Sequence, residues 1–453
     1  MMISNPLGGI RGPWRCLGSV AGAMALWMLP ACGERSPQEP PASVCEGWAG
    51  GGMQWGTAQG DAVLDLVIDA QSRLYVAGYE GGATGGTVDP SGDARGVLMM
   101  FEANAEERAP AWKKAFDTPG ADTLEALTLH PDTGAVYFVG RTTGAFPGFS
   151  PRGQQDLFLG GPSGDSPWEV LYQGGSERPQ HPRRLAFDGR RDLVVAGYDD
   201  VYVPSNYVEA WEDAFTVKLR RETGTDRWSE VWWRQFDIPG TDILEGLAVE
   251  PQGESIYLTG LITTGAERGP YVRKLNGNGE TVWFQRQTQI GMDMMQSVHV
   301  LPRGDVLVAG TTFATLGERN YGQQDVVVRQ LDGVTGEPVW TYQYGSSESD
   351  WVTDMAVDAQ GNIAVVGETL GAFEPGFEPR GDFDIFLLRL DAKGTLLQRR
   401  QWGSAGDDHP SAVALDGRGE AFIGGYTSGA LVCPSQGEHD AFLLTTVGTE
   451  PSP

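Results

Sequence analysis

Three features of the sequence predict an all-β fold, a seven-bladed β-propeller of four-stranded antiparallel blades. A strand-closing glycine recurs seven times, each copy carries two hairpin patterns, and an orphan strand at the front matches what the last copy lacks. Repeats of this length specify units that bury their faces against one another.

The glycine closes an apolar strand at Gly78, Gly140, Gly197, Gly260, Gly310, Gly367 and Gly425, at steps of 50 to 63 residues. The sixth copy is clearest. Met355 to Asp358 and Ile363 to Gly367 alternate apolar residues about a turn at Gly361-Asn362, which is the pattern of a hairpin. A second pair follows, from Asp384 to Leu390 and then to Trp402-Gly403. The third strand returns at Asp156, Asp213, Asp325 and Asp440, and aromatic residues end the fourth at Phe116, Tyr172, Phe236, Tyr344 and Trp402. These aromatics are read as packing between blades.

The seventh copy stops after its third strand, Asp440 to Thr446, while Met53-Gln54-Trp55-Gly56 stands alone ahead of the first. That orphan resembles Arg400-Gln401-Trp402-Gly403, so the front of the chain is expected to supply the outer strand of the last blade and close the ring. The expected organisation is a signal segment over 1–31, a tether over 32–52, the propeller over 53–447 and a tail over 448–453.

Composition agrees with a turn-rich β protein: 453 residues, 40% hydrophobic, with 64 Gly and 28 Pro. The net charge is −27 and no basic run interrupts the acidic background, which excludes nucleic acid as an expected partner. Acidity of this kind keeps an exported protein soluble.

Arg11 and Arg15 precede an apolar stretch, Leu17 to Met28, that leads to Leu29-Pro30-Ala31-Cys32, the order of an export signal. The stretch is too short to remain as a membrane span. Leu29 to Cys32 resembles the lipobox of bacterial lipoproteins, with Pro30 in place of the usual small residue. The resemblance implies that Cys32 becomes the first mature residue and carries the acyl chains, which would anchor the protein in the cell envelope, at the outer membrane. The polar, Pro-rich stretch from Glu34 to Val44 reads as an extended tether. Cys45 and Cys433 then remain, one before the orphan strand and one in the seventh copy. Export permits a disulfide between them, closing a long loop for roughly 4 to 5 kcal/mol; two unpaired buried thiols are the alternative.

The Asp/Gly turn, the Gly-closed strand, the Asp-aromatic strand and the aromatic-Gly ending together resemble the bacterial SBBP-type β-propeller repeat. Copies one and four depart from it, with Gly96 and Pro270-Tyr271 where the others have the Asp. The resemblance implies a fold and an exported location and brings no shared activity. A second stretch, Asp332 to Trp340, is similar to the tryptophan-docking motif of quinoprotein propellers, and Thr223-Gly224 with Trp228 repeats part of it.

Catalytic machinery is not legible. His130, His181, His299, His409 and His439 show no metal-ligand spacing, and nucleophile elbows, phosphate-binding loops and calcium loops are missing from the sequence. No metal and no cofactor are expected. One ring of residues invites a site: Asp61, Asp122, Gln180, Asp242, Asp293, Asp350 and Asp408 lie at equivalent positions near the start of each first strand. They form either an acidic rim at the axial mouth or, as the favoured reading, acceptors for their own tight turns.

The expected function is that of a non-enzymatic binding or scaffold protein. It would meet a protein or polysaccharide partner through loops on one face of the disc. The candidate loops are Gly81 to Arg95, Thr312 to Gln324, and Tyr198 to Glu212 with its Tyr202, Tyr207 and Trp211. The alternative is an enzyme at the axial cleft, a polymer-acting lyase or hydrolase or a quinoprotein-like propeller, which would need converging acid and base groups.

Overall fold

The computed structural model describes residues 51–82, 94–102, 109–201, 211–236, 240–264, 267–286 and 294–446. Within them 28 strands form seven four-stranded antiparallel sheets. Six sheets take four consecutive strands each. The seventh takes Asp408–Leu415, Ala421–Thr427 and Asp440–Thr445, with Gly52–Trp55 added at its outer edge. Met53 pairs with Leu443 and Trp55 with Ala441, so the front of the chain does complete the last blade.

Apolar packing explains why the closing strand holds. Met53 and Trp55 are buried with Ala412, Phe422 and Leu443 of blade 7 against Val63, Val76, Val97 and Phe101 of blade 1. The Trp55 and Phe101 rings lie 6.2 Å apart. Alternation along each strand places one side-chain set on each neighbouring blade, so every sheet is buried on both faces.

The first strand of each blade is innermost and touches the first strands of both neighbours around the ring. All seven of these strands carry a register irregularity at one position: Val63/Asp65, Leu124/Ala126, Pro182/Arg184, Leu244/Gly246, Met295/Ser297, Val352/Asp354 and Pro410/Ala412. A bulge adds a residue against one partner and re-aims the side chains beside it. Here it sets the level at which charged side chains meet around the axis.

Registers also correct the alignment of two copies. Gly78 pairs with Val97 and Gly260 with Tyr271, as Gly367 pairs with Phe386. The residues standing where blade 6 has Asp384 are therefore Arg95 and Gly269, one place earlier than the repeat pattern suggested. The five blades with the Asp share a clasp. Gln54, Gln173, Gln235, Gln343 and Gln401 on the fourth strands donate to Asp440, Asp156, Asp213, Asp325 and Asp384 at 2.7 to 3.2 Å. In blades 1 and 4 both partners change together, to Arg95 with Ala115 and Gly269 with Arg286. Gln401 shows what the clasp does: its carbonyl accepts from the Phe373 and Glu374 amides and its amide donates to the Gly371 carbonyl, fixing the loop between strands two and three.

Tryptophan docking between blades is present, at one register place in blades 3, 4 and 5 that includes the Trp340 of the motif. Trp283 and Lys274 of blade 4 donate to the Gly333 carbonyl of blade 5, and Trp232 and Lys218 of blade 3 donate to Gly277 of blade 4. Trp340 of blade 5 likewise lies against Gly394 of blade 6, while its indole N–H donates to Gln330 of its own blade at 2.6 Å.

Candidate functional site at the axial mouth

Each inner strand starts at the face that carries the loops between second and third strands, so the residues near its start surround the mouth of the axis. The expected acidic ring lies there, and the side chains are buried. Asp61, Asp122, Asp242, Asp350 and Asp408 are 0% exposed. Four accept a backbone N–H from the residue four places earlier: Thr57 to Asp61, Thr118 to Asp122 and Ser346 to Asp350 at 2.6 Å, and Ser404 to Asp408 at 2.5 Å. These carboxylates close turns rather than form an exposed rim. Burial raises Asp61 to about 6 and Asp350 and Asp242 to about 7, against the turn hydrogen bonds that lower the first two. In blade 3, Gln180 faces Asp199 across the strand pair, and Ser176 donates to Asp199 at 3.3 Å. The carboxylate has moved one strand over. Asp293 lies outside the described residues.

Charged side chains meet one level deeper, at the bulges. Arg184 of blade 3 reaches Asp354 of blade 6 at 3.4 Å, nearly opposite in the ring. Asp354 also accepts from Ser297 at 3.3 Å and from the Val413 amide of blade 7 at 3.1 Å. Asp65 of blade 1 takes the matching place, accepting the Leu127 amide of blade 2 at 2.7 Å. Burial pushes its carboxyl up to about 7, with Arg184 pulling down and Asp354 pushing up. Arg184 thus bridges the axis at this level.

Toward blades 2 to 4 the network continues. Arg183 pairs with Glu245 at 2.9 Å and Arg141 with Glu125 at 2.8 Å. Burial pushes the Glu125 carboxyl up, but the charges of Arg141 and Arg183 and the hydrogen bonds it accepts hold it below the usual range. Glu245 holds Arg183 firmly protonated. His181 completes the group, 3.2 Å from Arg141 and 3.1 Å from Asp200, its ring stacked on Tyr198.

Blade 7 repeats that last arrangement. His409 stacks on Tyr426 at 4.8 Å and meets Glu368 at 2.9 Å. Burial pulls the His409 imidazole down, and Glu368, Asp407 and Asp408 outweigh it and raise it above the ordinary value. Phe383 and His439 extend this side of the mouth at 5.2 Å from His409 and 5.5 Å from Tyr426. His181 and His409 hold one repeat phase, each followed by a proline, and a tyrosine follows the strand-closing glycine in both blades. The five histidines taken singly look scattered; the doubled His-Pro is the signal that finds this pair. Neither imidazole has a nucleophilic hydroxyl or thiol among its hydrogen-bond partners in the described residues.

The other expected sites divide. Cys32, Cys45, Tyr202 and Tyr207 lie outside the described residues, and Trp211 is described only in its backbone, which pairs with Val201. Cys433 is buried beside the closing strand, its Sγ 3.7 Å from the Gln54 carbonyl. Of the three candidate loops, the one from Thr312 to Gln324 is described throughout. Gln343 accepts from Leu316 and Gly317 within it and donates to Ala314. Among the described residues no group of His, Cys, Asp and Glu is arranged to hold a metal ion.

No known protein family matches the sequence, and no curated protein matches it. Several solved structures are similar. Sqt1 from Chaetomium thermophilum has a TM-score of 0.49 at 12% identity, covering 89% of this chain and 99% of that one. Penicillium chrysogenum alpha-L-arabinanase complexed with arabinobiose has 0.44 at 12%, covering 72% and 93%. A Hadza microbial sialidase has 0.43 at 13%, covering 69% and 66%. The chain is a seven-bladed β-propeller of four-stranded blades, closed by its first strand.

Proposed function

We propose that the chain is a non-enzymatic, lipid-anchored binding propeller of the cell envelope. Its protein or polysaccharide partner docks on the loop face over the axial mouth. The pairing of the axial arginines with carboxylates carries this reading. Arg184 with Asp354, Arg183 with Glu245, and Arg141 with Glu125 pair with one another, and four of the ring aspartates, Asp61, Asp122, Asp350 and Asp408, are engaged by turns. Catalysis needs a free acid or base within reach of a bound substrate, whereas an ion-paired floor supplies a rigid frame for loops. The likeness to SBBP-type repeats and the lipobox at Cys32 support an exported, tethered location.

The test is turnover by the purified chain against polysaccharide and peptide panels, with and without chelator. No activity above background is expected, and Cys32→Ser should release the protein from the membrane fraction. Turnover lost in Glu368→Gln or His409→Ala, with the melting temperature unchanged, would overturn the non-enzymatic reading in favour of an enzyme at the axial cleft.

A further inference from the structure

A cavity of about 200 Å³ lies between blades 4 and 5, away from the axis. Its walls include Val272, Met295, Val308 and Leu331, and Arg329 and Gln285 also line it. Exposed Glu337 and Pro338 stand at its outer end, so it reaches the surface.

Arg329 is out of character with its place. It sits two residues after the third-strand partner of the repeat glycine, pairing with Val308. The same place holds Met99, Gly160, Val217, Leu388 and Leu444 in five other blades, all apolar or glycine. Blade 4 has Arg273, whose guanidinium is capped by the Phe236 and Phe284 rings at 4.3 and 4.6 Å. Arg329 has no such cap. Its Nε donates to Thr341 at 3.2 Å, and among the described residues neither terminal nitrogen meets a carboxylate or a ring. Burial pulls its pKa down and Glu337, too far for an ion pair, pulls it up. A half-buried guanidinium without a paired carboxylate is costly unless something anionic meets it.

We infer that the cleft between blades 4 and 5 binds a small organic carboxylate, its anion on the Arg329 guanidinium and its apolar part among Val272, Met295 and Val308. A cavity of this size holds roughly six to ten heavy atoms, since one of roughly 150 Å³ takes benzene. The planar guanidinium suits a carboxylate, which accepts two parallel N–H bonds.

Titration calorimetry of the full chain with benzoate and hexanoate, against benzamide and hexanamide, tests this. Saturable one-site binding of the carboxylates is expected, with the amides at least about tenfold weaker, a difference of about 1.4 kcal/mol. Arg329→Leu, which places the blade 6 residue here, should fold with an unchanged or higher melting temperature and lose the binding. Arg329→Gln keeps the hydrogen-bonding shape without the charge and should lose it too, while Glu337→Gln should tighten it. Equal affinity for acid and amide, no binding of either, or binding retained in both Arg329 variants would overturn the inference.

Discussion

Arg184 and Asp354 are 170 residues apart in sequence and meet across the axis of the ring at 3.4 Å. With Asp65 on a third blade the group carries two carboxylates and one guanidinium, held where the bulges aim them. Removing one partner of this half-buried pair leaves a charge uncompensated. Both side chains keep some contact with solvent, so Arg184→Leu should cost about 1.5 to 3 kcal/mol in denaturant unfolding. Adding Asp354→Asn should recover part of it, and an additive double variant would show that the two do not interact.

Buried carboxyls make the stability depend on pH in a direction that can be worked out. Asp65 rises from 3.8 to about 7, Asp242 to about 7 and Asp61 to about 6, in each case chiefly through burial. The folded state then binds more protons than the unfolded state between those values. The stability these groups contribute is complete below the unfolded value and is lost as pH rises through 6 to 7. The melting temperature should fall from pH 5 to pH 8, and Asp65→Asn should flatten the slope. A melting temperature that climbs over this range would contradict the assignment.

The closing strand should be costly to weaken. Trp55 is 4% exposed and packs between the first and last blades. Truncation of a buried Trp costs about 3 to 5 kcal/mol, so Trp55→Ala should lower the denaturant midpoint accordingly. Hydrogen exchange should quicken first in Asp440–Thr445, whose outer edge the strand covers. Exchange that quickens evenly over all blades would count against a local clasp.

Gln401 offers a narrower test. Gln401→Leu removes the hydrogen bonds to Asp384, Gly371, Phe373 and Glu374 and should cost about 1.5 to 3 kcal/mol, with faster exchange at the Phe373 and Glu374 amides. In blade 1 the equivalent residue is Ala115, so Ala115→Gln should give no matching gain in protection.

Much of this architecture is legible in the sequence because it rests on local pattern. Period-two alternation about Gly361 writes a hairpin, and the likeness of Trp55-Gly56 to Trp402-Gly403 writes the closure. The bulges leave no such trace, since a register slip arises from pairing and not from residue type. Arg184 and Asp354 look like ordinary surface charges until the ring brings blades 3 and 6 face to face. The clasp was there to be read, as a Gln just before the strand ending, but the aromatic beside it draws the eye. Asp350 and Asp408 are read as acceptors for their own tight turns, with an exposed rim as the alternative, and they are buried because each does close its turn.

Photocrosslinking in cells tests the central proposal most directly. A photoreactive residue at Ser347 or Ala405 sits on the loop face, and one at Val334 or Lys393 sits in the turns of the opposite face. The account predicts a discrete crosslinked partner from the first pair and none from the second. Crosslinks of equal yield from both faces, or from the turns alone, would contradict it.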